Sequence, residues 1–237
     1  MINSSIPRQK LDSNILKNIP FFSTLTDEAI CEVEQVIVKK RYARDQIILF
    51  EEDTSSYMYL VYSGKVRVVQ LNDEGREHII TFHKKNDFFG EMSLLDGKTS
   101  PSTVIAHEDA VIGLLSKNDF DQHLLSNEEI RRKIMDLLCA RLRDSWAMIR
   151  ILSFDNAEQR IMAVLDRLKD LYGVKDQRGY IIALKLTHSQ IANYASVSRE
   201  TVTRTLNRFM KNDEIEFLDN KHILIKNSII SKLKSQY

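Results

Sequence analysis

Between Leu186 and Phe209 the chain reads LTHSQIANYASVSRETVTRTLNRF, and four of its side chains could recognise a polar surface. Arg199, Glu200, Thr203 and Arg204 fall on one side of a helix, because Val202 and Leu206, four residues apart, must turn inward. An arginine can bridge O6 and N7 of guanine, a glutamate can accept from N4 of cytosine, and a threonine can meet either base edge. Ser198 suits a helix N-cap, Ser196 and Val197 suit a turn, and Ala192 is small where two helices must approach closely. Ser198, Lys185 and Lys211 are candidates for phosphate contacts around these readers. An exposed helix with a Glu200–Arg204 pair would use the same letters for no recognition at all. The preceding helix, the following hairpin and the local charge favour nucleic acid.

A second cluster lies in FFGEMSLLDG, residues 88–97, where Gly90 and Glu91 open a short helix whose free N–H groups attract anions. Other chemistry finds little support. The two cysteines, Cys31 and Cys139, stand more than a hundred residues apart, with no Cys-x-x-Cys and no Cys/His cluster, and read as buried thiols. Iron–sulfur ligation usually needs four thiolates, so no cluster is expected. Of the six histidines, His78, His83, His107 and His123 are the possible haem ligands, but they are scattered. A cupin-like metal enzyme would need a His-x-His with a following Glu, which is missing, so no catalytic or metal-binding residue is assigned.

The elements that must carry these residues follow from periodicity. Residues 8–39 read as helical pieces, with Leu11, Ile15 and Ile19 at spacings of four and Ser23, Thr24 or Asp27 as caps for a run through Ile37. From Tyr42 to about 117, short β-branched and aromatic runs alternate with turn-rich pieces, which indicates an antiparallel barrel or sandwich. Asn72 to Gly75 is a hairpin tip. Beyond Phe120 no proline occurs, and Ile130, Ile134, Leu138, Leu142, Ser145, Ile149 and Leu152 form a seam about six turns long. Residues 154–158 interrupt it. A helix closing at Gly173, a short strand at 180–186, two helices and a hairpin with Asp219 and Asn220 at its tip complete a winged helix-turn-helix.

Charge is divided unevenly along the chain. Residues 181–237 hold nine Lys or Arg against five Asp or Glu, net +4, whereas the rest holds 25 against 28, net −3, within a total of +1. A basic tail domain on an acidic body suits a polyanionic partner. No run of 18 apolar residues is present, and the first twenty residues lack a signal-peptide apolar region, so a cytoplasmic location is expected and no membrane partner.

On SRETVTR and FGEMSLLDG together, with IPFFSTLTDEAI, YLVYSGKVRV and NDEGREHIITF, the chain resembles the family of the cyclic AMP receptor protein and FNR, from Ile19 to the C-terminus. The resemblance implies an α+β chain: a β-roll sensor with N-terminal helices over 1–120, a dimerisation helix over 121–153 and a winged helix over 154–237. It also implies a homodimer on palindromic double-stranded DNA, contact with RNA polymerase, and a small-molecule effector. Arg199, Glu200 and Arg204 match the base-reading positions of the cyclic AMP receptor protein subgroup, which implies a TGTGA-like half-site. The dimer seam then comprises Ile134, Leu138, Leu142, Ile149 and Leu152.

The effector-pocket candidates are Gly90, Glu91, Met92, Ser93, Ser100, Pro101, Ser102 and Ser145. In relatives that bind cyclic nucleotides, a Glu matching Glu91 holds the ribose hydroxyl and an Arg–Ser pair holds the phosphate, but this chain has Ser100 and Pro101 at that pair. Ser145 matches a hydroxyl that contacts the purine across the dimer, beside a bulky Trp146. Three readings stay open: another small ligand, a vestigial pocket in a constitutively active regulator, or a cyclic nucleotide held by Lys98 or Arg76. The missing Arg weighs against cyclic AMP. A kinase or channel regulatory subunit built on the same module would leave the winged helix unexplained. Asp45, Glu52 and Asn86 stand at β-roll turns that usually carry glycine, where a left-handed backbone is expected.

Overall fold

The computed structural model describes residues 14–20, 22–54, 56–72, 77–218 and 222–228. Residues 73–76 and 219–221, which include Arg76 and the hairpin residues Asp219 and Asn220, lie outside the described residues, as does Leu11. The chain divides into two compact units, Met1–Leu71 with Ile80–Arg141, and Asn72–Ile79 with Leu142–Tyr237.

The first unit opens with α1 (Asn14–Lys17) and α2 (Asp27–Val36). The cap of α2 is Thr26, whose hydroxyl accepts from the Ala29 N–H at 3.3 Å, and not Ser23, Thr24 or Asp27. Sheet structure begins earlier than the sequence indicates, with β1 (Val38–Tyr42), because this strand pairs along a buried neighbour although its own side chains are largely exposed. There follow β2 (Ile47–Leu49), β3 (Tyr57–Ser63), β4 (Lys65–Leu71), β5 (Glu77–Lys84), β6 (Phe88–Phe89), α3 (Glu91–Asp96), β7 (Thr103–Ala106) and β8 (Ala110–Ser116). They form two antiparallel four-stranded sheets, β1-β8-β3-β6 and β2-β7-β4-β5. Asp45, Glu52 and Asn86 adopt φ of 64°, 62° and 74°, the left-handed turns expected of them.

Strand β3 is buried on both faces, which explains its continuous apolar run in place of alternation. Tyr59 and Val61 turn towards Leu49, Val66, Phe89, Val104 and Ile112 in one cluster. Met58, Leu60 and Tyr62 turn the other way, towards Ile19, Phe22, Ile30, Val33, Phe120, Ile130 and Ile134. The fully buried Ile130 and nearly buried Ile134 are therefore core residues of this unit, so Ile134 does not belong to an exposed seam. A short helix, α4 (Lys117–Phe120), and a π-helical turn (Asp121–Leu125) lead into α5 (Glu128–Leu152), a single 25-residue helix. Cys31 and Cys139 are both exposed thiols, contrary to the burial expected of cysteine.

The second unit contains α6 (Ala157–Tyr172), capped by Asn156, whose side chain accepts from the Glu158 N–H at 2.8 Å. The interruption between α5 and α6 is therefore shorter than residues 154–158. Next come β9 (Gly173–Asp176), β10 (Gly179–Ile182), α7 (His188–Ala195), α8 (Arg199–Lys211), β11 (Ile215–Phe217) and β12 (Ile223–Lys226). The wing is a four-stranded antiparallel sheet, β11-β12-β10-β9, and the strand expected over 180–186 is its shorter β10. Arg167 of α6 lies 3.5 Å from Asp144 of α5 and bonds the Tyr194 hydroxyl of α7, tying three helices of this unit together.

Candidate nucleic-acid interface and sensor site

Helix α8 starts where the sequence places it. Ser198 Oγ accepts from the Thr201 N–H at 3.1 Å, so this hydroxyl is occupied by capping. The helix buries Val202, Thr205, Leu206 and Phe209 on its inner side. The opposite side is an open groove lined by Arg199, Glu200, Thr203, Arg204, Asn207, Arg208 and Lys211, which brings all four expected readers together with Lys211. Four of the seven side chains are cationic and one is anionic. Among the described residues, Glu200 and Arg204 form no ion pair with each other, whereas Arg208 pairs with Glu158. Lys185 is exposed ahead of α7, outside this groove.

The helix before α8 is set by a capping box: the Thr187 hydroxyl accepts from the Gln190 N–H at 3.2 Å, and the Gln190 side chain accepts from the Thr187 N–H at 3.0 Å. Ser196 ends it in a left-handed conformation with φ 50°, and the Val197 N–H reaches the Ala192 carbonyl at 3.1 Å. That tight turn aims α8 outward. Asn207 and Arg208, between the readers and Lys211, also belong to the groove although the sequence analysis does not single them out; their spacing of three and four from Arg204 is the available signal. His188 is a further unforeseen participant, with Nδ1 2.9 Å from Thr203 Oγ1. Burial, and then the Arg199 guanidinium, hold its imidazole below the ordinary range.

The sensor site is built differently. Gly90 takes φ 82° ahead of α3, where a Cβ would come within 2.7 Å of the Tyr59 ring, so only glycine fits. Glu91, nearly fully buried, forms an ion pair with Arg141 of α5, and Arg141 Nη2 also donates to the Phe88 carbonyl at 2.7 Å. The guanidinium sits 5.0 Å from the centre of the Phe88 ring. Glu91 Oε2 is buried without a hydrogen-bond partner. Beside it, His83 stacks on Phe89, and Phe89 on Tyr59, with ring centres 5.9 and 4.9 Å apart. Burial, and then the charge of Arg141, push the His83 imidazole down to about 3.

At the Ser100–Pro101 pair, the donors a cyclic phosphate would meet are already engaged or absent. Ser100 Oγ donates to the Ser102 carbonyl at 2.8 Å, and the Ser100 N–H to the Asp53 carbonyl at 3.0 Å. Pro101 has no N–H, and its carbonyl accepts from Gln70 at 3.1 Å. Ser93 and Ser102 are buried, Met92 and Lys98 are exposed, and Ser145 is exposed on α5. Ser100 and Pro101 therefore do not fit a bound phosphate at this pair. On α5, Met135, Leu138, Leu142, Trp146 and Ile149 form an exposed apolar stripe, with Leu152 partly buried at its end.

A β-roll joined to a winged helix that presents an open cationic groove defines a DNA-binding protein of the sensor-regulator type. Residues 39–127 match the cyclic nucleotide-binding domain, and residues 159–228 the Crp-like helix-turn-helix domain. The chain is 30% identical over 213 residues to the fumarate and nitrate reduction regulatory protein of Vibrio cholerae, covering 88% of this chain and 82% of that one. It is 28% identical over 191 residues to the cyclic AMP receptor protein of Thermus thermophilus, covering 81% and 85%. A solved CooA variant from Carboxydothermus hydrogenoformans shares the fold, with a TM-score of 0.74 at 22% identity over 96% of this chain and 97% of that one. The chain belongs to the Crp/Fnr family of transcription regulators. It is a DNA-binding regulator and not an enzyme, and among the described residues no helix is long and apolar enough to cross a membrane.

Proposed function

We propose that the protein regulates transcription as a homodimer on a palindromic operator with TGTGA-like half-sites, in contact with RNA polymerase, and that cyclic AMP is not its effector. The observation that carries the DNA reading is the face of α8. Arg199, Glu200, Thr203 and Arg204 line one open groove at its N-terminal end, where a recognition helix meets base edges. The exposed stripe from Met135 to Ile149 supports a parallel second copy, which would bring two reading helices to half-sites about one helical turn apart. Selection of bound DNA from a random pool tests this. An enriched inverted repeat with a TGTGA-like arm supports it, and enrichment without sequence or symmetry overturns it.

The effector reading rests on the Glu91–Arg141 pair. In a buried site an unpaired carboxylate is costly, and here the chain supplies its own cation from α5. The hydroxyl and amide of Ser100 are also committed internally. These contacts favour a regulator whose sensor is held without a cyclic nucleotide, either constitutively active or responsive to another small ligand. Lys98 as a substitute phosphate partner has only an exposed position to recommend it. With just two cysteines in the sequence, the proposed regulator also works without an iron–sulfur cluster.

A further inference from the structure

The Thr203 hydroxyl has one proton, and it donates that proton to the carbonyl of Arg199, one turn earlier on α8, at 3.0 Å. The 2.9 Å contact between Thr203 Oγ1 and His188 Nδ1 must then be donated by the imidazole. In that arrangement His188 is the tautomer protonated at Nδ1, and it occupies the first position of α7, on a different helix from the one it steadies. Its ring also rests against Phe217 of β11, with centres 5.8 Å apart, so it is held from the wing side as well.

A helical threonine that bonds back to the carbonyl four residues earlier keeps other rotamers within reach. The bond from His188 removes that freedom, since turning the hydroxyl outward would break two hydrogen bonds at once. Thr203 nonetheless lines the reading groove. With its proton spent inward and one lone pair taken by His188, the hydroxyl has no donor left for a base, and the γ-methyl group is its apolar contribution to the groove.

We propose that His188 is a positioning residue that fixes Thr203 so that its methyl group reads the 5-methyl of a thymine, giving one hydrophobic element of operator specificity between the contacts of Arg199 and Arg204. The inference rests on the reading of α8 as the helix that enters the major groove.

The test uses the full-length protein and its selected operator, with each thymine replaced in turn by deoxyuridine, which deletes the 5-methyl and keeps base pairing. One thymine per half-site should lose about fourfold in affinity on this exchange, the worth of one buried methyl. Thr203→Ser should erase that sensitivity while leaving the response to other base changes intact. Thr203→Val, which carries methyl groups in either direction, should keep it whether or not His188 is present. His188→Ala should lower the thymine-over-uracil preference with an unchanged melting temperature, and His188→Asn, which restores an N–H donor, should recover part of it. Specific operator binding with no thymine sensitive to demethylation would overturn the inference, as would full sensitivity in His188→Ala. Loss of all sequence preference in the unmodified protein would overturn the reading of α8 and this inference with it.

Discussion

The groove on α8 and the sensor turn around Glu91 treat charge in opposite ways. In the groove, Arg199, Arg204 and Lys211 stand open with only one carboxylate, Glu200, among them. Around the sensor turn, Arg141 is committed to Glu91 and to a carbonyl, and Ser100 to its own loop. A surface that is to meet a polyanion keeps its cations available, since each phosphate neutralised releases counterions. Apart from Glu91 Oε2, which is buried without a partner, the polar groups named at this site are already paired within the chain, so an anionic ligand would have to displace an internal partner.

The contrast can be broken at several points. The largest effect should come from Leu138→Asp with Leu142→Asp, which puts charges on the exposed stripe of α5. Sedimentation should show monomers, and operator binding should vanish although each α8 groove is untouched. Next, Arg141→Ala leaves the Glu91 carboxylate buried without its cation, and a loss of about 3 kcal/mol is expected in denaturant unfolding, the lower end for a buried pair because the guanidinium is partly exposed. Combining it with Glu91→Gln should recover most of that loss. If Arg141→Ala is neutral, the pair does not close the sensor site.

Arg199→Ala or Arg204→Ala should cost about 1–3 kcal/mol at a single base pair and relax preference there, with little change on random DNA. Equal losses on operator and random DNA would turn these residues into phosphate contacts. The smallest effect concerns acid. His83 is held neutral in the fold at about 3, below its unfolded value, so its contribution is fully present above the unfolded value and is lost progressively as the pH falls from there to about 3. Between pH 7 and 5 the unfolding free energy should fall by at most about 1.4 kcal/mol per pH unit on this account, and His83→Gln should flatten that part of the profile.

Helix α8 was legible because its signals are local: Ser198 caps, Val202 and Leu206 recur at helical spacing, and the polar residues between them have only one side left. The α5 seam was half legible. Steps of four advance about 40° beyond a full turn, so a row beginning at Ile130 rotates by about 120° before Leu142. The same apparent stripe thus starts in the β-roll core, at Ile130 and Ile134, and ends on the surface. Met135 marks where the exposed row starts. The exposure of Cys31 was obscured by composition: it follows the buried Ile30 on α2 and turns outward by one helical step.

The contacts with no local signal were those between distant residues. Arg141 is fifty residues from Glu91, and nothing in FGEMSLL says which cation will arrive, although Arg141 lies one turn before Ser145 on the same helix. His188 reaches Thr203 only because the turn at Ser196 folds α7 back on α8. The start of strand β1, Val38 and Lys39, falls in the helical reading of residues 8–39 because VKKRY shows charged residues outward, and its partner β8 comes more than sixty residues later.

In the proposed regulator the α8 groove binds a specific operator while the sensor turn is held by its own residues. Fluorescence anisotropy of a labelled selected operator, titrated with the purified protein at fixed salt with and without saturating cyclic AMP, tests it most directly. Tight binding to the operator, weaker binding to a scrambled sequence and identical curves with and without the nucleotide are predicted. Specific binding that emerges only when cyclic AMP is added would contradict it.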